Sequence, residues 1–233
     1  MAVLSACDKV VAKAKVIASK MLEVPPEEVE FGGGVFQAKG SESPGKTIQE
    51  IALAAFAAHD LPDGAEPSLD SDATFDPQNF SFPHGTHLCA TEVDSETGQV
   101  KIRSYVAVDD VGRVVNPAIV EGQVHGGIAQ GLGQALYEEA VYDEDGNLLT
   151  TTMADYLLPS AADLPVFVTG RTETPSTTNP LGVKGVGEAG TIASTPAVVN
   201  AIVDALRPAG VRDVTMPCSP ERVWRAIREG TAR

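Results

Sequence analysis

Cysteine is scarce in this chain of 233 residues. The three cysteines, Cys7, Cys89 and Cys218, lie far apart, and no two of them form a CxxC pair. Zinc and iron–sulfur cages take closely spaced cysteine ligands, and disulfide-stapled domains use cysteines in regular sets. The cysteine pattern therefore excludes a sequence-visible metal cage of this kind and a disulfide framework.

Positive charge is also in short supply. The chain has 17 Lys and Arg against 32 Asp and Glu, which gives a formal net charge of −15. A surface this acidic argues against nucleic acid and acidic membranes as partners, because both would be repelled.

Targeting and membrane signals are missing from the sequence. The start, MAVLSACDKVVAKAK, lacks the order of charge, apolar core and cleavage site that marks a signal peptide. No uninterrupted apolar run approaches the roughly 20 residues of a membrane span. We therefore expect a cytoplasmic protein without membrane insertion.

Hydrophobic residues make up 43% of the chain, which suits one large or two modest globular domains. Residues 60–83 are rich in Pro, Gly, Ser and Asp without periodicity and are typical of a connection. We predict a small α+β unit over 1–73, with a helix, a hairpin and a second helix, and an α+β domain over 74–233.

The second domain alternates strand-like and helix-like segments. Strands are predicted at 86–94, 99–110, 147–158 and 165–173, and helices start after Asn116-Pro117, Thr195-Pro196 and Ser219-Pro220. This pattern favours an α+β fold with mixed or antiparallel sheets and packed helices.

The helix after Pro117 is unusually rich in glycine, and each interior glycine costs about 1 kcal/mol relative to alanine. Close helix packing would explain these glycines, and so would close approach of the backbone to a bulky ligand. Gln123, His125 and Gln130 add uncharged polar groups beside them. Such groups suit an uncharged heterocycle with phosphates better than a metal, which prefers clustered Cys, Asp or His.

The segment NPLGVKGVGEAGT, residues 179–191, places one carboxylate, Glu188, in a glycine-rich turn. It matches neither the P-loop nor the Rossmann fingerprint. Its backbone N–H groups could face an anion, and a carboxylate held in a tight, partly desolvated place could act as a general base. The alternative is an ordinary turn glutamate in water.

The segment VDDVGRVVNPAIVEGQVHGGIAQGLGQALYEE, followed by NPLGVKGVGEAGT, resembles the C-terminal part of molybdenum hydroxylase large subunits. These form the xanthine oxidase/aldehyde oxidase family, and the likeness is strongest to carbon-monoxide-dehydrogenase-type large subunits. DPQNFSFPHGTH, ADYLLPSAADLP and MPCSPERVWRAI extend the likeness over nearly the whole chain. The resemblance implies the C-terminal molybdopterin-binding portion of that fold.

The resemblance also implies site residues. Glu188 matches the glutamate that lies beside molybdenum and acts as the base in oxidative hydroxylation with water, and Gln130 matches the glutamine that contacts the pterin. The implied cofactor is molybdopterin, in its cytosine dinucleotide form, with molybdenum. The implied cofactor-binding residues are Gln123, His125, Gly126, Gly127, Gln130, Gly131, Lys184, Gly185, Val186 and Gly187.

Large subunits of that family are several hundred residues longer on the N-terminal side. The resemblance therefore implies that this chain needs a missing N-terminal half, together with an FAD-binding medium subunit and a small subunit with 2Fe-2S clusters. Two alternatives stay open: a non-catalytic scaffold of the same fold that only binds partner subunits, and a self-sufficient enzyme that uses Glu188 with another cofactor. His84 and His87 are expected to be structural, and Trp224 is expected in the core.

Overall fold

The computed structural model describes residues 1–230 and divides the chain into two compact units, Met1–Pro77 and a second unit that begins at Gln78. In the first unit, helix α1 (Ala2–Leu22) and helix α2 (Ile48–Ala57) accompany a small antiparallel sheet. That sheet has the order β1 (Val29–Gly32), β2 (Val35–Ala38), β3 (Lys46–Thr47).

Local sequence signals account for the elements of the first unit. Gly33 and Gly34 adopt positive φ values of 58° and 82° in the turn between β1 and β2, which glycine tolerates without strain. Thr47 and Glu50 form a reciprocal capping box at the start of α2. The core of the unit contains Ala14, Ile17, Ala18, Val29, Phe36, Ile51 and Ala55.

The second unit contains a three-stranded mixed sheet and three helices. Strand β4 (His84–Val93) pairs antiparallel with β5 (Val100–Asp110), and β5 pairs parallel with β6 (Phe167–Thr172). The helices are α3 (Pro117–Leu136), α4 (Ala189–Leu206) and α5 (Pro220–Gly230). Helices beside mixed and antiparallel sheets confirm the predicted α+β class.

Helix α4 lies in the middle of this unit and packs against both α3 and β4. The core contains Tyr105 from the sheet, Ile128 and Leu132 from α3, and Val198 and Ile202 from α4, all fully buried. The stretch Ala189–Ala209 is long and apolar enough to cross a membrane by length and composition, with a mean hydropathy of 1.3. About a third of this stretch is buried in the unit, including Val198, Ile202 and Leu206.

Two sequence-based predictions about elements are wrong. Residues 147–158 form turns and bends and contribute only an isolated bridge, Tyr142↔Leu148, instead of a strand. Helix α4 begins at Ala189, so Pro196 lies inside it. Thr195 does not cap a helix there; its hydroxyl donates to the carbonyl of Gly131 at 3.3 Å.

The last helix was predicted correctly in position, with Ser219 preceding Pro220 at its start. Val223 and Ile227 are buried as expected. Trp224 is 37% exposed instead of lying in the core, and the guanidinium of Arg228 lies 5.2 Å from its ring centroid. Stacking of a cation on the ring face gives an indole at the surface a favourable contact.

Candidate functional site

Three glycines of the α3–α4 interface are explained by helix packing. A Cβ added to Gly127 would lie 2.8 Å from the backbone nitrogen of Thr191, and one added to Gly131 would lie 3.0 Å from that of Thr195. Gly190 faces Gly127 from the other helix. Only glycine allows the backbones of α3 and α4 to come this close. Burial between the two helices offsets the cost of these glycines in helix propensity.

Other glycines face open space. A Cβ added to Gly122, Gly126 or Gly185 would meet nothing within 4 Å, and one added to Gly187 would meet only the Oε1 of Gln123 at 4.0 Å. Packing therefore does not explain these positions. The backbone is accessible here to a bulky group, as the ligand hypothesis requires.

The open side of α3 carries the predicted amide side chains. Gln123, Gly126 and Gln130 are all exposed, and their spacing of three and four residues places them on one face of the helix. Gln123 lies next to Gly187, so this face adjoins the 185–188 turn. We call the surface formed by Gln123, Gly126, Gln130 and residues 185–188 the open face.

His125 points away from that stripe. Its ring centroid lies 5.6 Å from that of Phe167, a residue of β6. Its Nε2 is buried and has no hydrogen-bond partner among residues 1–230. A buried polar nitrogen without a partner is uncommon and calls for an ordered water or a bound group. The ring of His125 therefore lies in the interior beside β6 and not on the open face, and its cofactor contact stays a prediction.

The segment before the turn is tied to the end of β5. Val183 and Gly112 form an antiparallel bridge, and the N–H of Arg113 donates to the carbonyl of Gly182 at 2.9 Å. The side chain of Asn179 bonds both the carbonyl and the N–H of Val183, at 2.9 and 3.1 Å. These bonds connect residues 179–184 to the chain between β5 and α3.

Lys184 is engaged inside the protein. Its Nζ donates to Oδ1 of Asp110 at 2.9 Å; the Asp110 side chain is fully buried, and that of Lys184 is 10% exposed. The carboxylate also accepts from the N–H of Gly112 at 2.9 Å and the hydroxyl of Thr172 at 3.1 Å. Burial alone would raise the pKa of Asp110, but these donors outweigh it and hold that pKa well below its usual range.

Glu188 is the N-cap residue of α4. Its carbonyl accepts from the N–H groups of Thr191 and Ile192, both at 3.1 Å, but its side chain makes no capping bond. The residue is exposed, so residues 1–230 do not give it the expected desolvated setting. The carboxylate lies on the open face, where any enclosure would come from another molecule or chain.

The open face suits the kind of cofactor that the resemblance implies. It offers exposed amide side chains and accessible glycine backbone. These groups bind ring heteroatoms and phosphates. No group of three or more His, Cys, Asp or Glu residues that could hold a metal occurs among residues 1–230.

Sequence reasoning missed Asp110 and Asn179, which hold the turn. A carboxylate at the end of a buried strand, followed two residues later by glycine, is a signal for Asp110, since a buried charge needs a partner. The predicted structural role of His87 agrees with its contacts, since its Nδ1 lies 2.8 Å from the hydroxyl of Tyr105. His84 is exposed and its Nε2 lies 4.0 Å from Asp110, so its structural role stays a prediction.

Comparison with known proteins supplies independent information. Residues 1–165 match the family model described as the molybdopterin cofactor-binding domain. The carbon monoxide dehydrogenase large chain of Hydrogenophaga pseudoflava is 40% identical over 228 residues, which is 98% of this chain and 28% of that protein.

Solved structures agree with the sequence comparison. A Cu,Mo-CO dehydrogenase in its carbon monoxide reduced state superposes with a TM-score of 0.86 at 37% identity, over 96% of this chain and 28% of that one. Quinoline 2-oxidoreductase from Pseudomonas putida 86 gives 0.84 at 39% identity, over 94% and 28%. The chain thus spans little more than a quarter of the length of these relatives.

Proposed function

This chain belongs to the molybdopterin cofactor-binding family of molybdenum hydroxylase large subunits, and from that premise we propose that it forms one wall of the active site of a molybdenum-dependent oxidoreductase. The observation that supports this proposal most directly is the open face, where Gln123, Gly126 and Gln130 adjoin the turn that ends in Glu188. The α3 part contains Gly126, and the turn contains Gly185 and Gly187. Close packing requires none of these glycines.

In this proposal the open face holds the cofactor through several kinds of contact. The amides of Gln123 and Gln130 hydrogen-bond ring atoms, and the backbone at Gly126, Gly185 and Gly187 allows the cofactor to come close. Gly127 and Gly131 contribute indirectly, because they let α4 pack closely on α3.

When bound, the cofactor supplies the two-electron oxidising centre for hydroxylation with water. Glu188 accepts the proton that water loses as its oxygen is transferred to the substrate. The Glu188 carboxylate is suited to this step because it is exposed on the open face and makes no capping hydrogen bond to α4. Its oxygens are therefore free to accept a proton. Enclosure by the rest of the active site would remove water from around it.

The finer assignments extend the same proposal. The cofactor is the cytosine dinucleotide form of molybdopterin, and the opposite wall comes from an N-terminal half of the large subunit. An FAD-binding subunit and a 2Fe-2S subunit receive the electrons, and the assembly is cytoplasmic. The substrate is an aldehyde, a heterocycle or carbon monoxide.

A non-catalytic scaffold is the alternative function. It is not favoured, because a scaffold has no need for Glu188 and Gln130 to be kept together with accessible glycines. The deciding experiment is to purify the chain in its natural assembly and determine molybdenum and pterin per chain by metal analysis and mass spectrometry. One of each per chain is expected. An assembly that is complete in its protein subunits but lacks both would leave the scaffold as the explanation.

A further inference from the structure

Glu188 stands at the end of a four-residue bridge, Gly185–Glu188, between two fixed points. Gly185, Gly187 and Glu188 are exposed, and the two glycines have no close neighbours. Val186 packs against the main core and against the cluster of Val111, Val120 and Ala189, and its carbonyl accepts from the N–H of Ala189 at 3.2 Å. The other three residues of the bridge are exposed, so their position depends on Val186 and on the two points where the bridge is attached.

The second attachment is the start of α4. Gly190 is buried against α3, where an added Cβ would lie 3.0 Å from the Cα of Gly127 and 3.1 Å from the nitrogen of Ile128. This contact fixes the chain two residues after Glu188. It sets the position of the helix start on α3, and the opposite end of the bridge is held separately by Lys184.

The first attachment is Lys184, and it is made by both main chain and side chain. Its N–H donates to the carbonyl of Val111 at 2.9 Å, and its Nζ donates to Oδ1 of Asp110 at 2.9 Å. Asp110 is in turn held by Gly112 and Thr172. The ion pair joins residues 74 positions apart in the sequence.

We propose that the Lys184–Asp110 ion pair is a positioning element, which fixes the 185–188 turn so that the Glu188 carboxylate is presented on the open face. The inference rests on the proposed role of Glu188, although the ion pair's effect on the turn is measurable without it. Because the pair is buried, solvent and salt screen it little, and its geometry is more constant than that of a surface pair. Lys184 then acts through the turn and does not touch the cofactor.

The test uses the chain in its natural assembly and three variants. Lys184→Met removes the cation at similar length. Asp110→Asn combined with Lys184→Met removes both charges, so that no buried charge is left unpaired. Arg222→Met breaks the Arg222–Glu139 ion pair, which lies in the same unit but involves neither the turn nor the open face, and serves as the matched control.

The first readout is hydrogen exchange, which needs no activity. The amides of Arg113, Lys184, Thr191 and Ile192 all donate at the ends of the turn. In both Lys184 variants these amides are expected to exchange about tenfold faster or more, while those of β4 and α5 stay within about twofold of wild type. The Arg222 variant should leave the four amides unchanged.

The second readout separates positioning from binding. Both Lys184 variants should lower kcat by about tenfold to a hundredfold with KM within about threefold, at wild-type pterin and molybdenum content. If the double variant recovered the kcat of wild type, the proposal would be overturned. The loss in Lys184→Met would then come from the unpaired charge of Asp110 and not from the missing ion pair. Loss of pterin with unchanged exchange would also overturn it and make Lys184 a cofactor ligand. If Glu188 itself proves dispensable, the proposed function fails while the exchange result still stands.

Discussion

Gly190 of α4 and Gly127 of α3 touch where the two helices cross: a Cβ on Gly190 would lie 3.0 Å from the Cα of Gly127 and would also collide with the carbonyl of Val124. The neighbours are backbone atoms on a helix, so they cannot move aside as a flexible side chain would. Helix α4 starts directly after Glu188. The position of α4 along α3 therefore determines where the 185–188 turn lies.

Gly190→Ala is expected to lower the free energy of unfolding by about 1–3 kcal/mol, because overpacking forces the helices apart. Gly122→Ala is the matched control: it is also a helical glycine, but an added Cβ meets nothing within 4 Å. It should be neutral or stabilise by up to about 1 kcal/mol through helix propensity. Urea unfolding of both variants measures the difference. Equal stability of the two would show that the helices do not pack as described.

Glu188→Gln should reduce turnover of the assembled enzyme by about 10²–10⁴-fold, since the amide is nearly the same size but cannot accept a proton. Molybdenum and pterin contents should match wild type, because the side chain makes no capping bond that supports α4. Steady-state rates per molybdenum measure the effect. A variant within tenfold of wild type would remove Glu188 from the chemistry.

The control for this variant is Glu121→Gln. Glu121 is also an exposed glutamate of this unit, on α3, but it lines a small cavity with Val120 and Arg171 and is not part of the open face. The same loss of charge there should change the rate by less than about twofold. A loss similar to that of Glu188→Gln would point to net charge near the site as the cause, and not to proton transfer.

Local signals in the sequence were sufficient to locate most elements. Asn116 accepts hydrogen bonds from the N–H groups of Ala118 and Ile119 at the start of α3, as its position before Pro117 predicts. A capping pattern failed at Thr195: its hydroxyl donates to the carbonyl of Gly131 on α3, and the helix is continuous through Pro196. Residues 147–158 have a strand-like composition, but within residues 1–230 their only pairing is the isolated bridge of Leu148 with Tyr142.

The candidate site could be only partly predicted, for a physical reason. Glycine spacing along α3 does not tell which face meets α4, so Gly127 and Gly126 looked alike in sequence although one is packed and one is open. The Lys184–Asp110 pair depends on how β5 meets the 179–184 segment, and no local pattern encodes a contact between distant residues. The exposure of Glu188 likewise follows from tertiary structure.

Asp110→Asn should make the stability of the protein less sensitive to acid. The folded-state pKa of Asp110 is depressed, so the native protein holds this carboxylate charged while the unfolded chain binds a proton at about pH 4. The stabilisation is therefore complete above about pH 4 and is lost as the pH falls towards the lower folded-state pKa.

The measurement is the difference in unfolding free energy between wild type and Asp110→Asn, from urea unfolding between pH 7 and pH 2.5. The other carboxylates are common to both proteins and largely cancel. The wild type should be more stable at pH 7, and its advantage should shrink steadily below about pH 4. An advantage that stayed constant down to pH 2.5 would contradict a charged Asp110 paired with Lys184.

Purified alone, the chain is expected to retain neither molybdenum nor pterin and to self-associate. The open face covers one side of a cofactor only, and tight binding sites enclose most of their ligand. Large apolar side chains lie next to both parts of this face: Ile119 is 60% exposed and Ile192 64%. Ile119 lies one helical turn before Gln123, and Ile192 lies in the first turn of α4. Apolar surface of this kind is normally covered by a partner.

Sedimentation and metal analysis of the isolated chain measure both expectations. The Ile119→Ser, Ile192→Ser double variant should reduce self-association, whereas Leu53→Ser should not, although Leu53 is 69% exposed on α2 of the other unit. Co-expression with the remaining part of the large subunit should yield a soluble complex that contains molybdenum, because the second wall completes the enclosure and covers Ile119 and Ile192. A monomer that holds stoichiometric molybdenum by itself would contradict the assignment of this chain as one wall of the site.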